Sequence, residues 1–178
     1  MRIALFQPDI PQNAGAILRL AACLGVGVDI IGPTGFVLSD TKVKRAGLDY
    51  AATAALASHA NWSAFCAALG PDNRLVLFTT RGETDYRDAA YRSGDVLMFG
   101  RESAGVPDFV HDAAALRLRI PLADGMRSLN VATAAAMALG EGLRQTCSFP
   151  GDAPLSSSGP PRPAASTPWQ EQEGESEP

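Results

Sequence analysis

Cysteine is scarce in this 178-residue chain and forms no ligand or redox pattern. Its three copies, Cys23, Cys66 and Cys147, are widely spaced, with neither a CxxC pair nor nearby histidines. A zinc site needs clustered Cys and His ligands, and a small secreted scaffold needs paired cysteines. We therefore predict buried free thiols in a reducing compartment and no metal site.

Long apolar runs are also missing. None approaches the roughly 20 residues that span a bilayer, and the opening MRIALFQPDIP is apolar for only a few residues. The hydrophobic fraction of 46% is nevertheless sufficient for a globular body. The expectation is a cytoplasmic protein with no membrane partner.

The body of the chain has no net charge of either sign. The formal charge of -4 comes from the end of the chain, where five acidic residues after Phe149 face Arg162 alone, and the rest carries 14 acidic and 14 basic residues. A neutral body does not exclude a nucleic-acid partner, because binding depends on a local basic patch. The candidate patch is Lys42, Lys44 and Arg45 with Arg19, Arg81 and Arg127; for the KVKR run, a solvated helix face is the alternative.

Short apolar runs alternate with helical patterns along the body, which is typical of an α/β domain with a parallel sheet flanked by helices. We predict one domain over residues 1–149 and a disordered Pro/Ser-rich acidic tail over 150–178, since the tail has almost no apolar residues. The predicted strands are 3–6, 28–32, 74–80, 95–100 and 116–121. The predicted helices are 13–24 and 62–69, ended by Gly25 and Gly70, with 42–58, 106–115 and 129–145.

The glycine fingerprint of dinucleotide-binding folds is absent. GVGVDIIG contains G-x-G, but its third glycine is missing and the glycines precede the strand instead of following it. No P-loop pattern occurs either. This disfavours a nucleotide-dependent oxidoreductase.

Three polar, glycine-bearing segments lie where a predicted strand passes into a helix: residues 7–19 (QPDIPQNAGAILR), 99–107 (FGRESAGVP) and 120–130 (IPLADGMRSLN). In open α/β sheets ligands bind at the carboxyl ends of strands. The three segments therefore predict one assembled site.

Each segment also has a purely structural interpretation. Asn13 can cap the helix that follows, with Arg19 about 9 Å further along the axis and solvated. Glu102 and Ser103 can satisfy loop amides, while Gly100 permits close backbone approach and Gly105 a tight turn. Ser128 or Asn130 can cap the last helix.

Taken together and in this order, the segments NAGAILR, FGRESAGVP and IPLADGMRSLN resemble the SPOUT superfamily of RNA methyltransferases. The resemblance covers residues 1 to about 149. With the opening FQPDIPQN and the segment KVKRAGLDY, the chain is similar to the short tRNA 2'-O-methyltransferases that modify the wobble ribose of the anticodon.

The resemblance implies an α/β fold with a C-terminal trefoil knot, an exception to the rule against knots. It also implies S-adenosylmethionine as cofactor without a metal, a homodimer, and the tRNA anticodon stem-loop as partner. The alternatives are a 2'-O-methyltransferase acting on another tRNA or rRNA position, and a non-catalytic RNA-binding knot protein.

The resemblance further implies roles for individual residues. Position 101 differs from the family pattern, because this chain has Arg101 where many of the closest relatives have proline. The cofactor-binding residues would be Phe78, Thr79, Gly100, Ile120, Leu122 and Ser128, and the catalytic set Arg19, Asn13, Glu102, Ser128 and Asn130.

Arg19 is the family-style candidate for activating the ribose hydroxyl. A guanidinium ordinarily stays charged, so we favour a phosphate and oxyanion stabiliser first and a base second. His59 and His111 lie outside the motif segments and are interpreted as surface or capping residues.

Overall fold

The computed structural model describes residues 1–36 and 55–152. Strands and helices are interspersed along these ranges, which fits the α/β domain that the sequence predicts, although the three strands within residues 74–99 follow one another without a helix between them. In chain order they are β1 (Arg2–Phe6), α1 (Pro11–Leu24), β2 (Gly27–Ile31), β3 (Leu56–His59), α2 (Trp62–Ala68), β4 (Arg74–Phe78), β5 (Thr84–Asp85), β6 (Asp95–Phe99), α3 (Asp108–Ala113), β7 (Leu116–Arg119) and α4 (Val131–Thr146).

The strands form one sheet in the order β3-β2-β1-β6-β4-β7-β5, and every neighbouring pair is parallel. All five positions of β2 and of β6 are buried, as expected for a parallel sheet covered by helices on both faces. The carboxyl ends of β1, β6 and β4 consequently lie side by side at one end of the sheet.

Each face of the sheet carries its own apolar layer. Leu5 of β1 belongs to a cluster with Leu18 of α1 and Leu139 of α4. Its neighbour Phe6 belongs to a second cluster with Phe65 of α2. Since successive residues of a strand face opposite sides, β1 supplies both layers and fixes α1 and α4 on one face and α2 on the other.

Helix α1 begins earlier than the sequence predicts. Its first residue is Pro11, and Ile10 is the N-cap without a side-chain hydrogen bond. Proline suits this position because the N–H that it lacks would have no partner within the helix. Asn13 is therefore not the predicted cap but lies in the first turn. Gly25 ends the helix as predicted, with a left-handed φ of 67°.

The other helices differ from their predicted bounds at the ends. Helix α2 ends at Ala68 with Leu69 as its C-cap, so Gly70 is not the residue that ends it. Helix α3 is shorter than the predicted 106–115. Helix α4 begins after Asn130, which is its cap, one of the two residues predicted for that role.

Two strands were not predicted. Leu56 pairs with Val28 of β2, so the helix predicted over 42–58 is wrong at its end. The rest of that helix, with the KVKR run, and the tail from residue 153 lie outside the described residues. Strand β5 is two residues long and pairs with β7 at the sheet edge. Within the described ranges, no helix is long and apolar enough to cross a membrane.

Candidate functional site

A cavity of about 570 Å³ opens at the end of the sheet where the carboxyl ends of β1, β4 and β6 lie. All three polar segments of the sequence contribute to it. Their residues on its wall are Ile10, Asn13, Phe99, Gly100, Arg101, Glu102, Ser103, Ala104, Gly105, Val106, Ile120, Leu122, Arg127, Ser128, Leu129 and Asn130, and Phe78, Thr79, Thr80, Val131 and Ala134 complete the lining.

A chain of hydrogen bonds joins the three segments across the cavity wall. The Glu102 carboxylate accepts from Asn13 Nδ2 at 3.0 Å and from the Asp9 backbone N–H at 2.8 Å. Asn13 Oδ1 in turn accepts from Asn130 Nδ2 at 2.9 Å. Residues that are 89 and 117 positions apart in the chain are thus directly bonded.

The chemistry of the partners fixes the orientation of both amides. An ionised carboxylate only accepts, so Asn13 must direct its NH2 group to Glu102 and its oxygen to Asn130. Asn130 then donates to Asn13, and its own oxygen caps α4 by accepting from the N–H groups of Ala132 and Thr133, at 2.9 and 3.3 Å. Each group in this chain therefore donates to the next, from the first turn of α4 through Asn130 and Asn13 to Glu102.

A second cluster, around Asp9, was not predicted by the sequence. The Asp9 carboxylate accepts from Arg101 Nε and Nη2, at 3.2 and 2.8 Å, and from the Ser103 N–H and hydroxyl. The hydrogen bond from Arg101, followed by that from the Ser103 hydroxyl, lowers the pKa of Asp9. The only signal in the sequence was an aspartate within the polar segment QPDIPQN.

Glycine is required where the second segment folds back on itself. Arg101 and Gly105 exchange two backbone hydrogen bonds of 2.9 and 2.8 Å. A Cβ on Gly100 would lie 2.5 Å from the Gly105 carbonyl carbon, so close backbone approach at Gly100 is confirmed. Gly105 has a φ of 67°, which confirms the tight turn there.

The inner end of the cavity is apolar. Phe78 and Phe99 stack with ring centroids 5.1 Å apart and an interplanar angle of 18°. Both are almost fully buried in the layer that also contains α1 and α4. The six residues that the resemblance assigns to the cofactor all lie on the cavity wall: Phe78, Thr79, Gly100, Ile120, Leu122 and Ser128.

Four of the five residues assigned to catalysis line the cavity as well, namely Asn13, Glu102, Ser128 and Asn130. Arg19 is the fifth; it is exposed on α1 and is not part of the wall. Of the other basic candidates within the described residues, Arg127 lines the cavity and Arg81 pairs with Asp108 at 3.1 Å on the surface. The cavity wall therefore combines the Glu102 carboxylate, the Asn13 and Asn130 amides and two arginines, Arg101 and Arg127, around an apolar floor.

The histidines are more buried than predicted. His59 Nε2 lies 2.8 Å from the buried Asp29 carboxylate, which also binds Arg2. His111 is buried, and desolvation lowers its pKa, with a further contribution from Arg81. Neither histidine belongs to the cavity wall, and each has a structural environment instead.

The cysteine prediction is wrong on burial. Cys23, Cys66 and Cys147 are free, but all three are exposed, since each lies on the outer part of a helix or at its end. Among the residues that the structure describes, no group of three or more His, Cys, Asp or Glu side chains could hold a metal ion.

Fold and site together define an α/β domain with a cavity at the carboxyl ends of its parallel strands. The sequence profile of the SpoU rRNA Methylase family matches residues 1–140. The chain belongs to this family. A relative from Beijerinckia indica, a tRNA (cytidine(34)-2'-O)-methyltransferase, is 54% identical over 144 residues, which are 80% of this chain and 90% of the relative.

Solved structures agree with this family. A structure that concerns 2-OH methylation of C/U34 on tRNA has a TM-score of 0.78 and 44% identity, over 81% of this chain and 94% of the other. An AdoMet-bound rRNA methyltransferase from Sinorhizobium meliloti has a TM-score of 0.73 and 31% identity, over 80% of this chain and 55% of the other. The fold is thus that of known RNA methyltransferases.

Proposed function

We propose that this chain transfers a methyl group from S-adenosylmethionine to the ribose 2'-hydroxyl of the wobble nucleotide of the tRNA anticodon, a cytidine or a modified uridine. The observation that carries the proposal is that three motif segments meet at one cavity, joined by the hydrogen bonds of Glu102, Asn13 and Asn130. The identity of 54% to a tRNA (cytidine(34)-2'-O)-methyltransferase supports the choice of nucleotide.

The cavity is suited to S-adenosylmethionine, which supplies the methyl group on a sulfonium when bound. Its volume of about 570 Å³ lies in the range of roughly 300–1,000 Å³ of small-molecule sites. The apolar side chains of Phe78, Ile120 and Leu122 suit an adenine ring, while Gly100, Thr79 and Ser128 offer backbone and hydroxyl groups to the ribose. An AdoMet-bound structure of similar fold supports this cofactor. The proposal includes no metal.

Glu102, Asn13, Asn130 and Ser128 orient the reacting groups. Methyl transfer to a hydroxyl is an in-line displacement, so its rate depends on alignment within a confined site. Because Glu102 and both amides are held by hydrogen bonds within the protein, their orientation costs little at the moment of reaction.

Arg19 acts on the RNA in this proposal, as a phosphate and oxyanion stabiliser. Helix α1 begins at the cavity edge, and Arg19 lies about 9 Å further along its axis than Asn13. It is exposed and outside the wall of this chain's own cavity. A homodimer is part of the proposal for this reason: Arg19 of one copy would serve substrate bound at the cavity of the other.

The remaining features of the proposal concern the chain as a whole. Residues 1–149 would form the catalytic domain, with a C-terminal trefoil knot, and 150–178 a disordered tail. Helix α4 follows β7, which is separated from β6 by β4, yet the helix packs against α1 and β6, a path consistent with threading. The protein would act in the cytoplasm, on the anticodon stem-loop of tRNA.

Labelled S-adenosylmethionine and total tRNA test the proposal directly. We expect label in 2'-O-methylated cytidine or uridine from the anticodon after digestion and nucleoside mapping. Label in a ribose at another tRNA position, or label in rRNA when ribosomal RNA is offered in a parallel reaction, would favour the alternative methyltransferase. No label, with RNA bound, would favour the non-catalytic RNA-binding protein.

A further inference from the structure

Asp9 contacts three consecutive residues of the second segment. Its Oδ1 accepts from the Arg101 guanidinium at 3.2 and 2.8 Å, and its Oδ2 accepts from the Ser103 N–H at 3.3 Å and from the Ser103 hydroxyl. Its own N–H donates to the residue between them, Glu102, at 2.8 Å. One residue thereby fixes the side chains or backbone of 101, 102 and 103.

These contacts act on a loop that forms part of the cavity wall. We call residues 100–105 the wall loop, because all six line the cavity. The backbone bonds between Arg101 and Gly105 close it internally, and Asp9 ties it to the end of β1. Asp9 itself does not line the cavity, so any effect that it has on a ligand is transmitted through this loop.

Asp9 is well placed to hold the loop, because its own backbone is held. Gly35 donates its N–H to Pro8 O at 3.0 Å, and a Cβ on Gly35 would lie 3.0 Å from Asp9 Cα. The side chains of Asp9 and Arg101 are 20% and 40% exposed, so their ion pair is partly shielded from water.

We propose that Asp9 is a positioning residue that pre-forms the wall loop for S-adenosylmethionine, with Arg101 as its partner. This rests on the proposed function. A loop ordered before binding pays no ordering entropy when the ligand arrives, and the gain is in affinity. The pair also gives a reason for arginine at position 101, because a proline there would remove both the guanidinium that binds Asp9 and the N–H that bonds Gly105.

The competing role for Arg101 is a contact to an RNA phosphate. Two of its nitrogens are engaged by Asp9, and the carboxylate neutralises its charge locally. The positioning role therefore predicts an effect on cofactor affinity, whereas a phosphate contact predicts an effect on tRNA affinity. Measuring both affinities on the same variants separates the two.

The test uses the full-length protein with Asp9→Ala, Arg101→Ala and the double variant. Calorimetry with S-adenosylmethionine should give an affinity about tenfold weaker for each, and the double variant should be no weaker than the single ones, since they remove the same contact. Affinity for tRNA without cofactor should stay within about twofold. The KM for the cofactor should rise while kcat at saturation changes little.

The matched control is Asp108→Ala, which breaks another Asp–Arg pair, with Arg81, on the exposed surface. It should leave the cofactor affinity unchanged. Unchanged cofactor affinity in Asp9→Ala, or lost tRNA affinity with intact cofactor binding, would overturn the inference while leaving the proposed function in place. If the unmodified protein bound no S-adenosylmethionine, the proposed function would fall, and this inference with it. Thermal melting of each variant identifies any general loss of folding, in which case Asp9→Asn replaces Asp9→Ala.

Discussion

Asn13 and Glu102 lie 89 positions apart in the chain, and their side chains share a hydrogen bond of 3.0 Å. They meet because β1 and β6 are parallel neighbours, with Leu5 opposite Phe99 at their carboxyl ends. The segments that follow these strands therefore leave the sheet side by side. A contact of this kind joins two motifs into one wall.

Replacing Asn13 by Asp should harm the site more than replacing it by Ala. The Asp carboxylate would face the Glu102 carboxylate at the distance of the present hydrogen bond, and like charges so close are strongly unfavourable. We expect kcat/KM for tRNA methylation to fall roughly 100-fold in Asn13→Asp and roughly tenfold in Asn13→Ala. Equal losses in the two variants would argue against a functional bond to Glu102.

A methyl group at position 100 should disrupt the wall loop. In Gly100→Ala the added Cβ would lie 2.5 Å from the Gly105 carbonyl carbon and 2.8 Å from Val106 Cγ1, so the backbone must shift. We expect the affinity for S-adenosylmethionine, measured by calorimetry, to fall at least about tenfold. Gly140→Ala is the control, because a Cβ there meets nothing within 4 Å; cofactor affinity should not change.

Removing the Arg19 guanidinium should separate chemistry from cofactor binding. Arg19 lies outside the cavity wall, so Arg19→Ala should bind S-adenosylmethionine normally yet lose about 100- to 1,000-fold in transfer, the usual cost of losing an oxyanion stabiliser. Arg19→Lys should recover part of the activity, since it keeps the charge but not the planar fork. A fully active Arg19→Ala protein would contradict the role.

Stability should depend on pH through Glu141 in α4. Hydrogen bonds from Arg144 and then Gln145 lower its pKa from 4.5 to about 2. A depressed pKa stabilises the fold above the unfolded value, and this contribution is lost as the pH falls from 4.5 towards 2. We expect Glu141→Gln to be about 0.5–1 kcal/mol less stable than the unmodified protein at pH 7.

Urea denaturation across this pH range checks the expectation. The difference between Glu141→Gln and the unmodified protein should shrink to near zero at pH 2. Glu83→Gln is the comparison, because Glu83 is exposed and makes no hydrogen bond to another described residue; it should show no such trend. A stability difference that persists unchanged at pH 2 would refute the role of the Glu141 charge.

The sheet was predictable where strands are apolar and buried on both sides. Strand β6 (DVLMF) has no alternative interpretation, whereas β3 (LASH) follows an alanine-rich stretch typical of a helix and becomes a strand only by pairing with β2. Asn13 illustrates the same limit. Its residue type favours a helix cap, but a tertiary hydrogen bond to Glu102 uses the amide, and Pro11 begins the helix instead.

The location of the site was predictable, but its internal contacts were not. The rule that ligands bind at the carboxyl ends of parallel strands was sufficient to bring residues 7–19, 99–107 and 120–130 together. The pairing of Asp9 with Arg101 depends on which loop atoms meet across 92 positions, and no local pattern encodes that. The contact between His59 and Asp29 likewise depends on the pairing of β3 with β2, which no local pattern encodes.

The most direct test of the proposed function compares two anticodon stem-loop RNAs that differ at one atom. One carries ribose at nucleotide 34, and the other carries 2'-deoxyribose there. With labelled S-adenosylmethionine, we predict about one methyl group per molecule incorporated into the first RNA and none into the second. Equal incorporation into both would place the methyl group on a base or another ribose, and would contradict the account.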